Sequence, residues 1–200
     1  MALSADEIDD ILYLVRVNEQ DELTTYANEL AQKHSITRSD ILINSVDSES
    51  KNTAIHYCAA NGFTGLLGVL FATIGTEQVS HIINKQNDSG NTPLHWAAFN
   101  GHMDTTKALI AAGVDMWIRN FAGNLAIFEA ERAGKDDIVA YLLEVGGTEK
   151  EQEIDGGSAV SMTMSAGEPV SAGMNVDEAG DVDEDVDDAG VKLEGASLNG

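Results

Sequence analysis

The chain has 200 residues, enough for one or two domains, and carries 34 Asp/Glu against 11 Lys/Arg for a net charge of −23. That balance lacks the clustered Lys/Arg needed to approach a phosphate backbone, which disfavours direct contact with nucleic acid or an anionic membrane surface and favours a basic protein partner. The single cysteine, Cys58, excludes an intramolecular disulfide; beside two alanines on an expected helix, it reads as a small apolar packing residue.

In chain order, the start is acidic, with Asp6, Glu7, Asp9 and Asp10, the wrong sign for a secretory signal or a transit peptide. The longest apolar stretch, residues 65–75, is too short to cross a bilayer. The expectation is an intracellular, soluble protein. Residues 11–18, followed by Asp21, Leu23, Tyr26 and Leu30, have helix-turn-helix spacing. Next comes Asn52-Thr53-Ala54-Ile55-His56-Tyr57-Cys58-Ala59-Ala60-Asn61-Gly62. Val79, Ile82 and Ile83 then fall at helical spacing, which predicts a lengthened return helix or a packed loop.

The stretch from Asn91 to His102 repeats the pattern in its fullest form, Asn-Thr-Pro-Leu-His-Trp-Ala-Ala-Phe-Asn-Gly-His. Thr92 can cap a helix through its hydroxyl, and Pro93 fits the first helical position. Leu94, Ala97 and Ala98 give a short helix with a mostly small inner face, and Gly101 is the left-handed stop. Residues 104–111 form the return helix, with Leu109 and Ile110 toward the stack, and Gly113 ends it. Residues 87–90 and 119–123 are turns that project between repeats. Residues 121–147 keep Gly123, Ile127, Ala130, Gly134, Leu142 and Leu143, with Phe128 where His95 stood.

The Asn at the head of the pattern recurs at positions 52, 91 and 124, and this near-33 period built on T-P-L-H-x-A resembles the ankyrin repeat. The resemblance implies an all-α solenoid of about four helix-turn-helix repeats over residues 1–147. The first is a degenerate cap, the second is longer, the third is regular and the fourth is a cap; such end repeats are atypical because one face meets water. Residues 148–200 hold 14 of the acids, six of them within residues 181–188, and are expected to form a disordered acidic tail.

His95 and His56 share one slot of the repeat and are read as structural, ordering the turn within their own repeat. The five histidines show no metal-ligand spacing, and neither a phosphate-cradling loop nor a nucleophile elbow is visible. No catalytic residue, metal or cofactor is expected, and the chain reads as a binding protein rather than an enzyme. Ankyrin stacks bind through hairpin tips and concave inner helices. Aligned on the motif, those positions are Asp47, Glu49, Asn52 and Asn61, then Asp88, Ser89, Asn91, Phe99 and Asn100, then Arg119, Phe121, Asn124 and Arg132. Phe99 and Phe121 are singled out because the repeat does not require an apolar residue at either place. Trp96 reads as core, whereas Trp117 either covers the stack or faces a ligand.

Residues 90–97 together with Ile118-Arg119-Asn120-Phe121-Ala122-Gly123-Asn124-Leu125-Ala126-Ile127-Phe128-Glu129-Ala130-Glu131 resemble a narrower group. This is the small fungal ankyrin-repeat chaperones dedicated to the KH-domain ribosomal protein of the small subunit. The resemblance covers residues 6–147 and implies ATP-independent capture of that basic client before it joins pre-ribosomes. It also implies a monomer that forms a heterodimer with its client, working in cytoplasm and nucleus. The alternatives are an ankyrin adaptor or inhibitor of a non-ribosomal protein, and a histone-type chaperone driven by the acidic tail.

Overall fold

The computed structural model describes residues 3–154, with side chains to residue 147. Residues 155–200, most of the expected disordered tail, lie outside the described residues. Among the described residues, helices form four consecutive pairs: α1 (Ala5–Arg16) with α2 (Gln20–His34), α4 (Ala54–Asn61) with α5 (Thr64–Ile74), α7 (Pro93–Asn100) with α8 (Met103–Ala111), and α9 (Ala126–Arg132) with α10 (Asp136–Ile154). Two further short helices, α3 (Arg38–Asn44) and α6 (Thr76–Ile82), follow the first and second pairs. The first helices of the pairs pack in the order α1–α4–α7–α9, and α3, α5, α8 and α10 pack in order behind them.

Local chemistry sets where the helices begin. Ser4, Thr37, Thr53 and Thr92 are N-caps, each answered three residues later by Glu7, Asp40, His56 or His95. The short inner helices bury Ala54, Ala59, Ala97, Ala98, Ala126 and Ala130, and these small side chains let successive layers approach closely. Larger residues, among them Ile11, Ile55, Leu67, Leu94, Leu109 and Ile138, fill the space between the two layers. Gly62 ends α4 at φ +73, and a Cβ there would stand 2.5 Å from the His102 ring of the next repeat. Glycine is therefore required at that position twice over, by backbone angle and by packing.

Three elements depart from the expected pattern. The excess length of the second repeat is neither a longer return helix nor a loop. Gly75 breaks the chain at φ +87, and α6 starts afresh, burying Val79 and Ile82, with Ile83 buried at its C-cap. The first repeat also has a third helix, α3, which packs against both α2 and α5. The last helix does not stop at the glycine pair but runs through Gly146 and Gly147 to Ile154. Gly146 leaves room for Met116 and the Trp117 indole, whose atoms a Cβ would meet at 3.2–3.3 Å.

Candidate functional site: the inner helices and their hairpins

The inner helices α4, α7 and α9 are each preceded by a hairpin, and the three hairpins are built alike. Asp47, Asn87 and Asn120 head them, and their backbone amides donate to the carbonyls of Asn52, Asn91 and Asn124 at 2.8, 2.9 and 2.9 Å. The side-chain oxygen of each head residue accepts two amides of its own turn: Glu49 and Ser50 for Asp47, Ser89 and Asn91 for Asn87, Ala122 and Asn124 for Asn120. The backbone amide bond of Ser50, set against burial, is the main influence holding the Asp47 carboxyl down at about 2, with help from the Tyr57 hydroxyl.

Neighbouring hairpins are tied edge to edge. The Asp88 amide donates to the Ser50 carbonyl at 2.9 Å, and the Phe121 amide to the Ser89 carbonyl at 3.1 Å. The Asn87 and Asn120 side-chain amides donate to Asn52 Oδ1 and Asn91 Oδ1, both at 2.9 Å.

The two motif histidines complete this lattice. In each, Nδ1 accepts the N–H of the capping threonine at 3.2 Å, with the threonine hydroxyl within 2.9 Å for His56 and 2.8 Å for His95. The other nitrogen faces a carbonyl of the next hairpin at 3.0 Å, Asn91 O for His56 and Asn124 O for His95. A carbonyl can only accept, so Nε2 carries the proton and both rings are neutral. Burial pushes His56 down to about 4 and lowers His95 as well. The structural reading of these residues is right but incomplete, because each also links its repeat to the next.

Glu7 takes the histidine slot in the first repeat. It accepts the Ser4 amide at 2.8 Å, Lys33 Nζ at 2.7 Å and His34 Nε2 at 2.9 Å. Bonds to Lys33 and then His34 hold its carboxyl far below the usual range. In the fourth repeat the slot belongs to Phe128, which is 47% exposed; among the described residues no further hairpin follows for a histidine to reach.

The expected partner-binding residues divide into two groups. Asp47, Asn52, Asn91, Asn100 and Asn124 are half-buried and hydrogen-bonded within the stack; Asn100, for example, donates to the Ala60 carbonyl at 2.8 Å. Glu49, Asn61, Asp88, Ser89, Phe99, Arg119, Phe121 and Arg132 are exposed. Among the described residues Phe121 is the most open of the large apolar ones at 74%, with its ring base against Gly90. Arg119 donates to the Gly123 carbonyl at 2.8 Å and braces its own turn.

A groove of about 300 Å³ lies between the third and fourth repeats, lined by Ser89, Asn91, His95, Trp96, Phe99, Asn120, Ala122, Glu129 and Arg132. Arg132 lies over the Phe99 ring with 5.7 Å to its centre and pairs with Glu129 Oε2. The other Glu129 oxygen accepts from Asn120 and Asn124 at 2.9 and 3.0 Å. Burial opposes ionisation of Glu129, but those two amides and the Arg132 charge outweigh it and keep the carboxyl below its ordinary range. Motif alignment identified Phe99 and Arg132 but not Glu129, Asn120 or Trp96. Trp96 is half-buried, packed against the core on one side and part of the groove wall on the other. Trp117 packs beside Gly146 of α10.

The acidic character is concentrated elsewhere. Asp6, Glu7, Asp9, Asp10, Glu19, Asp21, Glu22 and Glu29 crowd the first helix pair against Arg16 and Lys33. Within it, a cleft of about 450 Å³ is lined by Asp10, Asp21, Glu22 and Glu29 around Tyr13, Leu14, Thr25 and Tyr26. Among the described residues, no group of three or more His, Cys, Asp or Glu is placed to hold a metal ion. Cys58 is buried, which pushes its thiol up to about 12.

Comparison with known proteins agrees with this construction. A profile of ankyrin repeats (three copies) matches residues 4–120 and 68–154. The ankyrin repeat-containing protein YAR1 of Saccharomyces cerevisiae is 32% identical over 171 residues, covering 80% of this chain and 82% of that protein. Calmodulin-binding transcription activator 6 of Arabidopsis thaliana is 34% identical over 108 residues, but the match spans only 12% of its length. Among solved structures, the crystal structure of the yeast ribosomal protein Rps3 in complex with its chaperone Yar1 matches with a TM-score of 0.63 and 33% identity, covering 71% of this chain and 94% of that one. Capped inner helices, histidine-linked hairpins and these matches together establish that the chain belongs to the ankyrin-repeat family, with yeast YAR1 similar along most of its length.

Proposed function

We propose that this protein is a dedicated chaperone of the basic KH-domain ribosomal protein of the small subunit, the counterpart of yeast Rps3. The observation that carries the reading is the likeness to Yar1 as solved on Rps3, which extends over 94% of that chain. Relatives that share only the repeat, such as the Arabidopsis activator, are matched over a small fraction of their length.

The physical chemistry of the fold supports the same reading. A free ribosomal protein lacks the RNA that neutralises its charge, and an acidic surface can hold it and steer its approach. The first helix pair, with its carboxylates around an open tyrosine-walled cleft, supplies such a surface. The exposed hairpin residues Glu49, Asp88 and Ser89, with Phe99 and Phe121, supply contact positions on the inner-helix side. The protein binds one client as a heterodimer, with no nucleotide and no covalent step. Release follows when ribosomal RNA competes for the client's basic surface, and the protein works in cytoplasm and nucleus.

The test is to mix the purified chain with its small-subunit client and follow aggregation at low salt, without ATP. The client is expected to stay soluble in a one-to-one complex and to leave it when ribosomal RNA is added. A client that aggregates equally with and without the chain contradicts the reading.

A further inference from the structure

The position four residues after the N-cap threonines Thr53 and Thr92, and its equivalent in the fourth repeat, carries a side chain with a polar tip. In two of these three repeats the tip meets the hairpin preceding its own helix. In the second repeat it is Tyr57, whose hydroxyl donates to Asp47 Oδ2 at 2.8 Å. In the fourth it is Glu129, which accepts from Asn120 Nδ2 at 2.9 Å. In the third it is Trp96, and there the tip is unmet. Its indole Nε1 is shielded from water, yet it has no hydrogen-bond partner among the described residues. An indole N–H can only donate, so it carries a standing desolvation penalty that an incoming acceptor would remove.

Trp96 belongs to the wall of the groove between the third and fourth repeats, together with Phe99 and Arg132. The charges in that groove are already used. Arg132 is paired with Glu129 and stacked on Phe99, and Glu129 is held by Asn120 and Asn124. What remains on offer is apolar surface, chiefly the exposed Phe99 ring, and one unfilled donor. A lysine or arginine head would meet the Arg132 charge already lying over Phe99, and the indole N–H, a donor, offers it nothing.

We propose that this groove takes an uncharged segment of the client: a free backbone carbonyl, as at the end of a helix, that accepts from Trp96 Nε1, with a neighbouring apolar side chain packed on Phe99. The inference rests on the chaperone reading above and divides its labour. The carboxylates of the first repeat meet the client's basic surface, and the groove reads a neutral feature of the same protein. Because Nε1 is shielded in the free protein, the indole must shift on client binding so that its N–H meets the incoming carbonyl.

The test is Trp96→Phe, which keeps an aromatic ring and removes the donor, measured for client affinity across a salt series. One neutral hydrogen bond corresponds to a loss of about five- to tenfold. That loss is expected at every salt concentration, with the slope of affinity against salt unchanged and the melting midpoint not lowered. Equal affinity, or a loss that vanishes at high salt, overturns the assignment. In a Trp117→Phe background the remaining indole reports directly, and its emission should shift when client is added; a fixed emission maximum in a formed complex also overturns it. If the wild-type chain forms no complex, the chaperone reading and this inference fall together, whereas a wild-type complex matched by an equal Trp96→Phe complex removes the inference alone.

Discussion

At the scale of single residues, His56 has the clearest consequence. Its folded pKa, about 4, lies below the ordinary value of 6.5, because burial disfavours the cation. The unfolded chain therefore takes up the proton first. The stability that depends on a neutral ring is complete above pH 6.5 and drains away as pH falls toward 4. Over that window the loss is on the order of 3 kcal/mol. Thermal unfolding from pH 7 to pH 4 should show this decline, and His56→Gln should start less stable but flatten the slope.

Phe121 offers a second test at the same scale. Being 74% exposed, it has little packing to lose, so Phe121→Ala should leave the melting midpoint nearly unchanged. As a proposed aromatic contact with the client, its loss should cost about 2 kcal/mol in binding. Calorimetry of both quantities on one sample decides; a lowered midpoint with intact affinity would assign the ring to packing.

The Thr-His-Gly skeleton of the second and third repeats was legible in the sequence, because Thr53, His56 and Gly62 stand at the same offsets as Thr92, His95 and Gly101. In the sequence Glu7 is only one of the acidic residues at the start of the chain, and its place in the histidine slot emerges from its bonds to Ser4, Lys33 and His34. The Glu129–Arg132–Phe99 cluster was not legible. It arises from the pairing of side chains between adjacent layers, which periodicity alone does not specify.

Among the elements, α3 and α6 distinguish this stack from a plain series of helix pairs. Each fills the space beside a return helix: α3 lies against α2 and α5, and α6 against α5. Apolar spacing at Val79, Ile82 and Ile83 disclosed that the extra segment is packed, but the break at Gly75 depends on a backbone angle that composition does not reveal. Since Ile83 is fully buried, Ile83→Ala should destabilise the stack by about 2–5 kcal/mol, measured by urea unfolding. A change below about 0.5 kcal/mol, the range of ordinary surface substitutions, would mean that the segment is not part of the cooperative core.

For the molecule as a whole, charge and packing are unevenly shared. Carboxylates crowd the first repeat and residues 181–188, while the groove between the third and fourth repeats is internally neutralised. Residues 155–200 lack the repeat's packing pattern, so a chain ending at Ile154 should melt at the same midpoint as the full chain in a calorimetric scan. It should also show a shallower dependence of client affinity on salt. Loss of cooperative unfolding would instead make those residues part of the stack.

The central claim, capture of a basic ribosomal client by an acidic repeat stack, is tested most directly by titrating the purified client into the full chain without nucleotide from low to high salt. A one-to-one complex is expected, with an affinity that falls steeply as salt rises, since exposed charges are screened within about 8 Å at physiological ionic strength. Absence of a complex, or an affinity indifferent to salt, would contradict it.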